Sequence, residues 1–382
     1  MRNGSDKINS AAREKIALTR RWVIKIGSAL ITKQGIGLNV GAIEDWVRQM
    51  VELKRTGVEM VVVASGSVAE GAARLGWQVR PHSIHELQAA AAVGQMGLVR
   101  AWERAYDKFD MRAAQILLTH QDLENRERYL NARSTLWTLL DLEVFAVINE
   151  NDTVATEEIR FGDNDTLAGL VSNLIDADLL VILTDQEGLM SADPKQDPNA
   201  TLIATANIDD EAIAAIAGDG GVWGRGGMRT KLAAAKLAAR SATSTIIASG
   251  LRPNVLRDIA AGDNVGTLLA APVAKLAARK QWLANSLKPQ GELVLDDGAC
   301  VVIRERGRSL LAVGVVRVVG AFSRGELVSC IDNDGNEIAR GLVNYDAAEA
   351  GKICGHPSHR IEPILGYARE SELIHRDNLV II

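Results

Sequence analysis

Cysteine is scarce in this chain. Cys300, Cys330 and Cys354 are the three among 382 residues, too few and too widely spaced for a disulfide framework or a Cys-x-x-Cys metal site, so they read as reduced thiols. An excess of positive charge is missing too. Lys and Arg number 43 against 48 Asp and Glu, a formal net charge of −5, which leaves no global cationic field to hold nucleic acid or an anionic bilayer. Long apolar runs are also lacking: the most apolar helical stretch, LQAAAAVGQMGLV, falls short of the roughly 20 residues of a spanning helix. No membrane partner is expected. The opening MRNGSDKINSAAREKIALTRR has no apolar centre and does not read as a secretory signal, so a cytoplasmic protein is the expectation.

Several familiar chemical signatures are absent as well. There is no G-x-x-x-x-G-K-[ST], since Gly351-Lys352 is followed by isoleucine, and no G-x-G-x-x-G, which disfavours Walker-type ATPases and standard dinucleotide binders. H-E-x-x-H and G-x-S-x-G are missing too, which argues against a zincin or an α/β-hydrolase. The six histidines do not cluster as zinc ligands would, and no protein-held metal site is expected.

What is present is a globular composition, 47% hydrophobic and 24% charged, in a chain long enough for two domains at roughly 150 residues each. RWVIKIG, VEMVVVAS, AAQILLT, VFAVINE, DLLVILTD and STIIASG are near-continuous apolar runs of strand length, as expected where helices cover both faces of a parallel sheet. Between them lie AIEDWVRQMVELKR, HELQAAAAVGQMGLVRAWERAYDKF, RERYLNARSTLWTLLD and GGMRTKLAAAKLAARS, with apolar residues at helical spacing. The expected fold class is therefore α/β, a mainly parallel sheet sandwiched by helices. After about residue 270 the character changes. A mixed basic connector is followed by short alternating strands with Asp-Gly, Arg-Gly and Asn-Asp-Gly turn signals, the pattern of a small β-rich domain.

In such sheets ligands bind outside the carboxyl ends of the strands, so the polar strand ends are where chemistry is sought. Lys25-Ile26-Gly27-Ser28 ends the first strand; a lysine there is a snorkelling residue or a phosphate contact beside small neighbours. Ala64-Ser65-Gly66-Ser67 sits at a helix start, where it is an ordinary serine cap or an anion site. Asn149-Glu150-Asn151-Asp152-Thr153 and Gly162-Asp163-Asn164-Asp165 are dense polar clusters, partly explicable as helix caps at Asn164 or Asp165. Thr184-Asp185 closes another strand. Gly224 to Lys231 is a basic, glycine-rich loop opening a helix, which suits phosphate: backbone N–H groups and the helix dipole face an anion and Lys231 adds a mobile charge. Two lysines, strand-end carboxylates and a glycine-rich loop, without a nucleophile and base pair, suit phosphoryl transfer.

At these residues the chain resembles the glutamate-phosphorylating branch of the amino-acid-kinase family, through VIKIGSALIT, VVVASGSVAEG, QAAAAVGQMGL, RERYLNAR, INENDTVAT, FGDNDTLA, LLTDQEGLMSADP and GGMRTKL, then FSRGE and ILGY. The resemblance implies the amino-acid-kinase fold followed by a PUA-like domain. Its expected divisions are an N-terminal extension at 1–20, a catalytic domain at 21–270, a linker at 271–289, the PUA-like domain at 290–368 and a C-terminal tail at 369–382. By the same resemblance, ATP contacts fall on Lys25, Thr184, Asp185, Arg225, Gly226, Gly227, Met228, Arg229, Thr230 and Lys231, and L-glutamate contacts on Ser65, Asp152 and Asn164. Lys25 and Lys231 are expected at the transferred phosphoryl group, Asp165 orienting both ammonium groups and Asp163 assisting.

The activity implied is ATP-dependent phosphorylation of the glutamate side-chain carboxylate to L-glutamyl 5-phosphate and ADP, the first step of proline biosynthesis, with Mg²⁺ arriving on ATP. Homo-oligomers, inhibition by proline and hand-over of product to glutamyl phosphate reductase are implied by resemblance alone. Against the family pattern, Arg225 and Arg229 make the loop more basic, and Ala64 removes a hydroxyl beside the glutamate contact. The competing class is an RNA-binding protein, suggested by the PUA-like tail with Arg304, Arg306, Arg308, Arg317 and Arg324; arginines on short strands more often form a solvated face, and RNA binding by the tail stays open.

Overall fold

The computed structural model describes residues 12–33, 35–79, 81–154, 164–192, 197–210, 213, 227–271 and 289–382. The chain forms two compact units, one of residues 1–123 and 132–273, the other of residues 124–131 and 274–382.

The first unit is built on a sheet of eight strands. In chain order these are β1 (Arg21–Ile26), β4 (Glu59–Val63), β5 (Ala113–Leu118), β6 (Phe145–Glu150), β7 (Leu179–Thr184), β8 (Thr205–Asn207), β9 (Ser244–Ser249) and β10 (Thr267–Ala270), while β2 (Thr32–Lys33) and β3 (Ile36–Leu38) make a separate hairpin. The spatial order is β5-β6-β4-β1-β7-β9-β10-β8. The six strands expected from the sequence are all present and run parallel. The two short additions depart from that pattern: β10 is antiparallel to β9, and β8 pairs with β10. β8 (TAN) has no apolar run and β10 (TLLA) is four residues long, so neither is marked as a strand by its own length and pattern.

Burial explains the near-continuous apolar runs, since β6 and β7 are buried at every position. Side chains on one face, including Trp22, Ile24, Val62 and Val181, join the helix Val40–Arg55 through Ile43, Trp46, Val47 and Met50, and the helix Ile84–Asp107 through Leu98, Trp102 and Tyr106. The helices Asn164–Leu174 and Met228–Ala239 approach closely at Gly169, where a Cβ would come within 2.6 Å of the Ala234 carbonyl oxygen. A second close crossing joins the helix Ser67–Arg74 to the helix Ile84–Asp107. A Cβ on Gly71 would meet the Ala90 carbonyl oxygen at 1.7 Å, and one on Gly94 would meet that of Ser67 at 1.9 Å. These glycines let two backbones touch, which fixes the height of the helix that starts at Ser67.

Of the N-terminal extension, residues 1–11 lie outside the described residues, but its last part has a structural role. The buried Arg13 guanidinium donates to the carbonyl oxygens of Val265 (2.7 Å), Ala204 (2.8 Å), Gly266 (3.0 Å) and Asp263 (3.1 Å). It thereby ties the N-terminal segment to carbonyls just before β8 and β10, adding a second donor at Ala204, which also accepts from the Leu268 N–H.

The second unit carries a five-stranded sheet in the order β12-β11-β13-β14-β15, formed by β11 (Gly291–Leu295), β12 (Val315–Gly320), β13 (Leu327–Ile331), β14 (Glu337–Leu342) and β15 (Leu379–Ile381). All its pairings are antiparallel except β11 with β13. Its core includes Leu293, Leu295, Phe322, Cys330, Tyr345 and Ile374. The segment expected as a C-terminal tail supplies β15, because Leu379 and Val380 are buried against β14. Arg324 also departs from the expected solvated face: it is buried and its guanidinium donates to Asn131 Oδ1 within this unit. The connector expected at 271–289 lies outside the described residues, apart from its two ends.

Candidate active site

The strand order reverses beside β1: the chain adds β4 on one side of it and β7 on the other. That is the switch point at which loops part and a ligand crevice opens. Lys25 lies one residue from the end of β1, and Thr184 ends β7 next to it. Ser65 follows β4, and Asn149 and Glu150 close β6. The sheet therefore delivers four of the predicted polar clusters to one edge.

The helix Asn164–Leu174 joins them. Its first two residues point about 100° apart, as successive residues on an α-helix must, so one loop serves two neighbourhoods. Asn164 and Asp165 both lie inside the first helical turn, and their side chains reach across to other elements.

Asp165 is fully buried. Its Oδ1 receives Lys25 Nζ, its Oδ2 receives Lys231 Nζ at 3.1 Å, and Thr230 Oγ1 donates to Oδ2 at 2.7 Å. Both lysines are themselves buried, at 5% and 6% exposure. Burial alone would push the Asp165 carboxyl up, but the two ammonium groups and the hydrogen bonds from Lys25 and Thr230 outweigh it and hold the pKa below the ordinary carboxylate value. The carboxylate thus stays ionised and acts as a fixed clamp on two cations. Gly227, extended in backbone, caps the start of the helix Met228–Ala239, and its carbonyl oxygen lies 2.8 Å from Thr230 Oγ1 as an alternative acceptor for that hydroxyl's single proton. This helix start places backbone N–H groups and Lys231 together, an arrangement that favours anions.

Asn164 builds the second neighbourhood. Its Nδ2 has three acceptors within hydrogen-bond distance for its two N–H groups, the Ala64 carbonyl oxygen (2.6 Å), Asn149 Oδ1 (2.9 Å) and Ser65 Oγ (3.0 Å). Asn149 Nδ2 in turn donates to Gln95 Oε1 at 2.8 Å. Ser65, Asn149 and Asn164 are all buried, and this chain of neutral amides and hydroxyls fixes their orientations. Asp152, half-buried, accepts a hydrogen bond from Ser67 Oγ at 2.8 Å.

The structure therefore brings Lys25, Asp165, Thr230 and Lys231 into one cluster and Ser65 and Asn164 into another, with Asp152 tied to the turn that carries Ser65. Thr184 is buried and its Oγ1 donates to the exposed Asp185 at 3.1 Å. Met228 and Arg229 occupy the first turn of their helix, Arg229 exposed. Asp163, Arg225 and Gly226 lie outside the described residues. Gln95 was not singled out from sequence; Asn149 and Ser67 lay within the polar clusters named there, but their links to Gln95 and Asn164 and to Asp152 were not foreseen. A glutamine within the apolar run QAAAAVGQMGL was the one available signal for Gln95. Among the described residues no group of three His, Cys, Asp or Glu side chains could hold a metal ion, and no helix is long and apolar enough to cross a membrane.

Comparison with known proteins places this geometry in context. The model of the amino acid kinase family matches residues 20–249, and that of the PUA domain matches residues 291–365. A glutamate 5-kinase from Stutzerimonas stutzeri is 59% identical over 371 residues, 97% of this chain and 100% of that one. One from Chromohalobacter salexigens is 59% identical over 98% of this chain and 99% of its own. One from Hahella chejuensis is 58% identical over 98% and 97%. With the parallel sheet, the lysine and aspartate cluster at its edge and the β-rich second unit all present, the chain belongs to the glutamate 5-kinase branch of the amino acid kinase family and carries a C-terminal PUA domain.

Proposed function

We propose that this protein transfers the γ-phosphoryl group of ATP to the side-chain carboxylate of L-glutamate, giving L-glutamyl 5-phosphate and ADP, the first step of proline biosynthesis. The observation that carries the reading is the pair of buried ammonium groups, Lys25 and Lys231, held on one ionised carboxylate beside a helix N-terminus. Glutamate is ionised near neutral pH, so its carboxylate needs no general base to become a nucleophile. The difficulty is to bring one anion against another. Lysines already fixed in place by Asp165 lower that repulsion without reorganising during the reaction. As the oxygen of the acceptor carboxylate bonds to phosphorus, the bond to the bridging oxygen of ADP breaks, and negative charge moves toward the leaving diphosphate.

On this reading Ser65, Asp152 and Asn164 hold glutamate, with Asp152 receiving its α-ammonium group. Lys25, Thr184, Asp185 and the segment Arg225 to Lys231 serve ATP. Mg²⁺ supplies charge neutralisation on the phosphates when bound. On this reading the ion arrives bound to the nucleotide. The acyl phosphate product hydrolyses readily, which suits hand-over to a glutamyl phosphate reductase; inhibition by proline and assembly as a homo-oligomer in the cytoplasm complete the proposal.

The test is an assay of purified protein with Mg–ATP and, separately, glutamate, aspartate, N-acetylglutamate, carbamate and UMP. ADP release and trapping of acyl phosphate with hydroxylamine are followed. Hydroxamate formation with glutamate alone supports the reading; turnover of another acceptor in preference to glutamate overturns it.

A further inference from the structure

The turn between β4 and the helix Ser67–Arg74 carries two hydroxyls, two residues apart, separated by Gly66. Gly66 has φ of +108°, and a Cβ there would approach Ile31 Cγ2 at 3.1 Å and Leu38 Cδ2 at 3.3 Å. The backbone thus turns sharply at a residue with no side chain, which sends the flanking serines to different partners. Ser65 meets Asn164. Ser67 meets Asp152, 85 residues away in the chain.

Ser67 is not behaving as an ordinary helix-start serine. The residue capping this helix is Gly66, and the turn makes no side-chain cap hydrogen bond. Ser67 is instead 3% exposed, and its Oγ donates to Asp152 Oδ2 at 2.8 Å. The helix that bears it cannot easily shift, because the Ser67 carbonyl oxygen lies where a Cβ of Gly94 would be, 1.9 Å away. A buried hydroxyl on a helix start fixed by close packing is therefore aimed at Asp152, the carboxylate assigned to the substrate cation.

We infer that Ser67 is a positioning residue for substrate recognition: it holds the Asp152 carboxylate in the orientation that receives the α-ammonium group, and so sets the preference for amino dicarboxylates over dicarboxylates that lack the amine. This rests on the functional reading above, in which Asp152 faces the substrate cation. A hydrogen bond to a carboxylate both orients it and favours its ionised form. Without it the carboxylate can rotate, and the ammonium group meets a less well placed partner.

The experiment compares wild type with Ser67→Ala, Ser67→Cys, Asp152→Ala and the double variant Ser67→Ala/Asp152→Ala, measuring kcat and KM for glutamate and for ATP, and turnover of glutarate, which has both carboxylates and no amine. Loss of a charge-assisted hydrogen bond is expected to raise the KM for glutamate about tenfold in Ser67→Ala, with kcat and the KM for ATP within about twofold of wild type. The ratio of kcat/KM for glutamate over glutarate should fall by a similar factor. Ser67→Cys fills the same space with a weak donor and should resemble Ser67→Ala. In the Asp152→Ala background the serine substitution should add less than about twofold, since a residue acting through a partner has nothing left to act on.

The inference is overturned by an unchanged KM for glutamate in both single variants, by a parallel rise in the KM for ATP, or by additive effects in the double variant. A Ser67→Cys enzyme with wild-type kinetics beside an impaired Ser67→Ala would also overturn it, by showing that volume matters and the donor does not. If wild type turns over glutamate and the serine variants match it, this inference alone fails. If wild type does not phosphorylate glutamate, the functional reading fails first and this inference falls with it.

Discussion

The two neighbourhoods at the sheet edge are built from opposite materials. Around Asp165 the groups are charged, with two ammonium ions on one carboxylate and almost no water contact. Around Asn164 they are amides, hydroxyls and a backbone carbonyl, linked from Gln95 through Asn149 to Ser65. Consecutive residues of one helix supply the centre of each. The difference teaches what each half can do. Coulomb interaction is long-ranged and tolerant of angle, so the charged half suits a phosphoryl group whose charge shifts as bonds change. Hydrogen bonds between neutral groups are directional and costly to leave unmade, so the amide half suits reading the shape of one substrate.

The sharpest way to break this contrast is to remove charge from the charged half. Asp165→Asn leaves two buried lysines without their shared anion. We expect kcat to fall by at least about 10²-fold, the scale of a lost preorganised contact, with a much smaller change in the KM for ATP. Near-normal turnover in a folded variant would remove the clamp role. The same carboxyl is held below its ordinary pKa, so its stabilisation is present above about pH 3.9, the unfolded value, and is lost as pH falls through the lower folded value. The stability gap between wild type and Asp165→Asn should therefore stay level from pH 8 to pH 5 and close only in stronger acid, as thermal melts across that range would show.

Next in size is an attack on the geometry of the neutral half. Gly94→Ala puts a Cβ into the Ser67 carbonyl. Overpacking of this kind costs about 1–3 kcal/mol, and calorimetry should show a lower Tm; if the protein melts as wild type does, the two helices are not as tightly crossed as the backbone distances imply. Asp152→Ala should raise the KM for glutamate by about tenfold or more, on the scale of one charge-assisted contact, while ATP binding followed by titration calorimetry stays nearly intact. Equal weakening of both ligands would mean general disruption. The smallest effect lies in the second unit. Burial pushes the Cys330 thiol up to about 12 and raises that of Cys300 as well, while Cys354 is partly exposed. In native protein at pH 8 a maleimide should label Cys354 alone, read by mass spectrometry, because reactivity needs thiolate and access.

Much of this architecture was legible in the sequence because burial on both faces of a parallel sheet writes long apolar runs, as in β1, β4, β6, β7 and β9, while the edge strand β5 is apolar in sequence with only Leu118 buried. Strands β8 and β10 were not, since three or four residues of mixed character acquire strand geometry from a neighbour and Arg13 rather than from their own pattern. At the site, the polar strand ends named most of the participants. What they could not name was who touches whom. Nothing local links Ser67 to Asp152 or Gln95 to Asn149, because those pairs meet only after helices and strands far apart in sequence have packed. Arg324 shows the same limit in the second unit: its buried position follows from packing against residues near 131, which strand alternation does not encode.

The central claim is that turnover is set by the lysine pair on Asp165 and glutamate recognition by the network around Asn164 together with the Asp152 carboxylate that Ser67 holds. It is tested most directly by steady-state kinetics of Asp165→Asn and Asp152→Ala side by side, varying glutamate and ATP independently under identical conditions. The account predicts that the Asp165 variant loses kcat by at least about 10²-fold and keeps its KM for ATP nearly unchanged, whereas the Asp152 variant keeps most of its kcat and loses apparent affinity for glutamate alone. If both variants lose kcat and KM in the same proportion, the site acts as one undivided unit and the account is wrong.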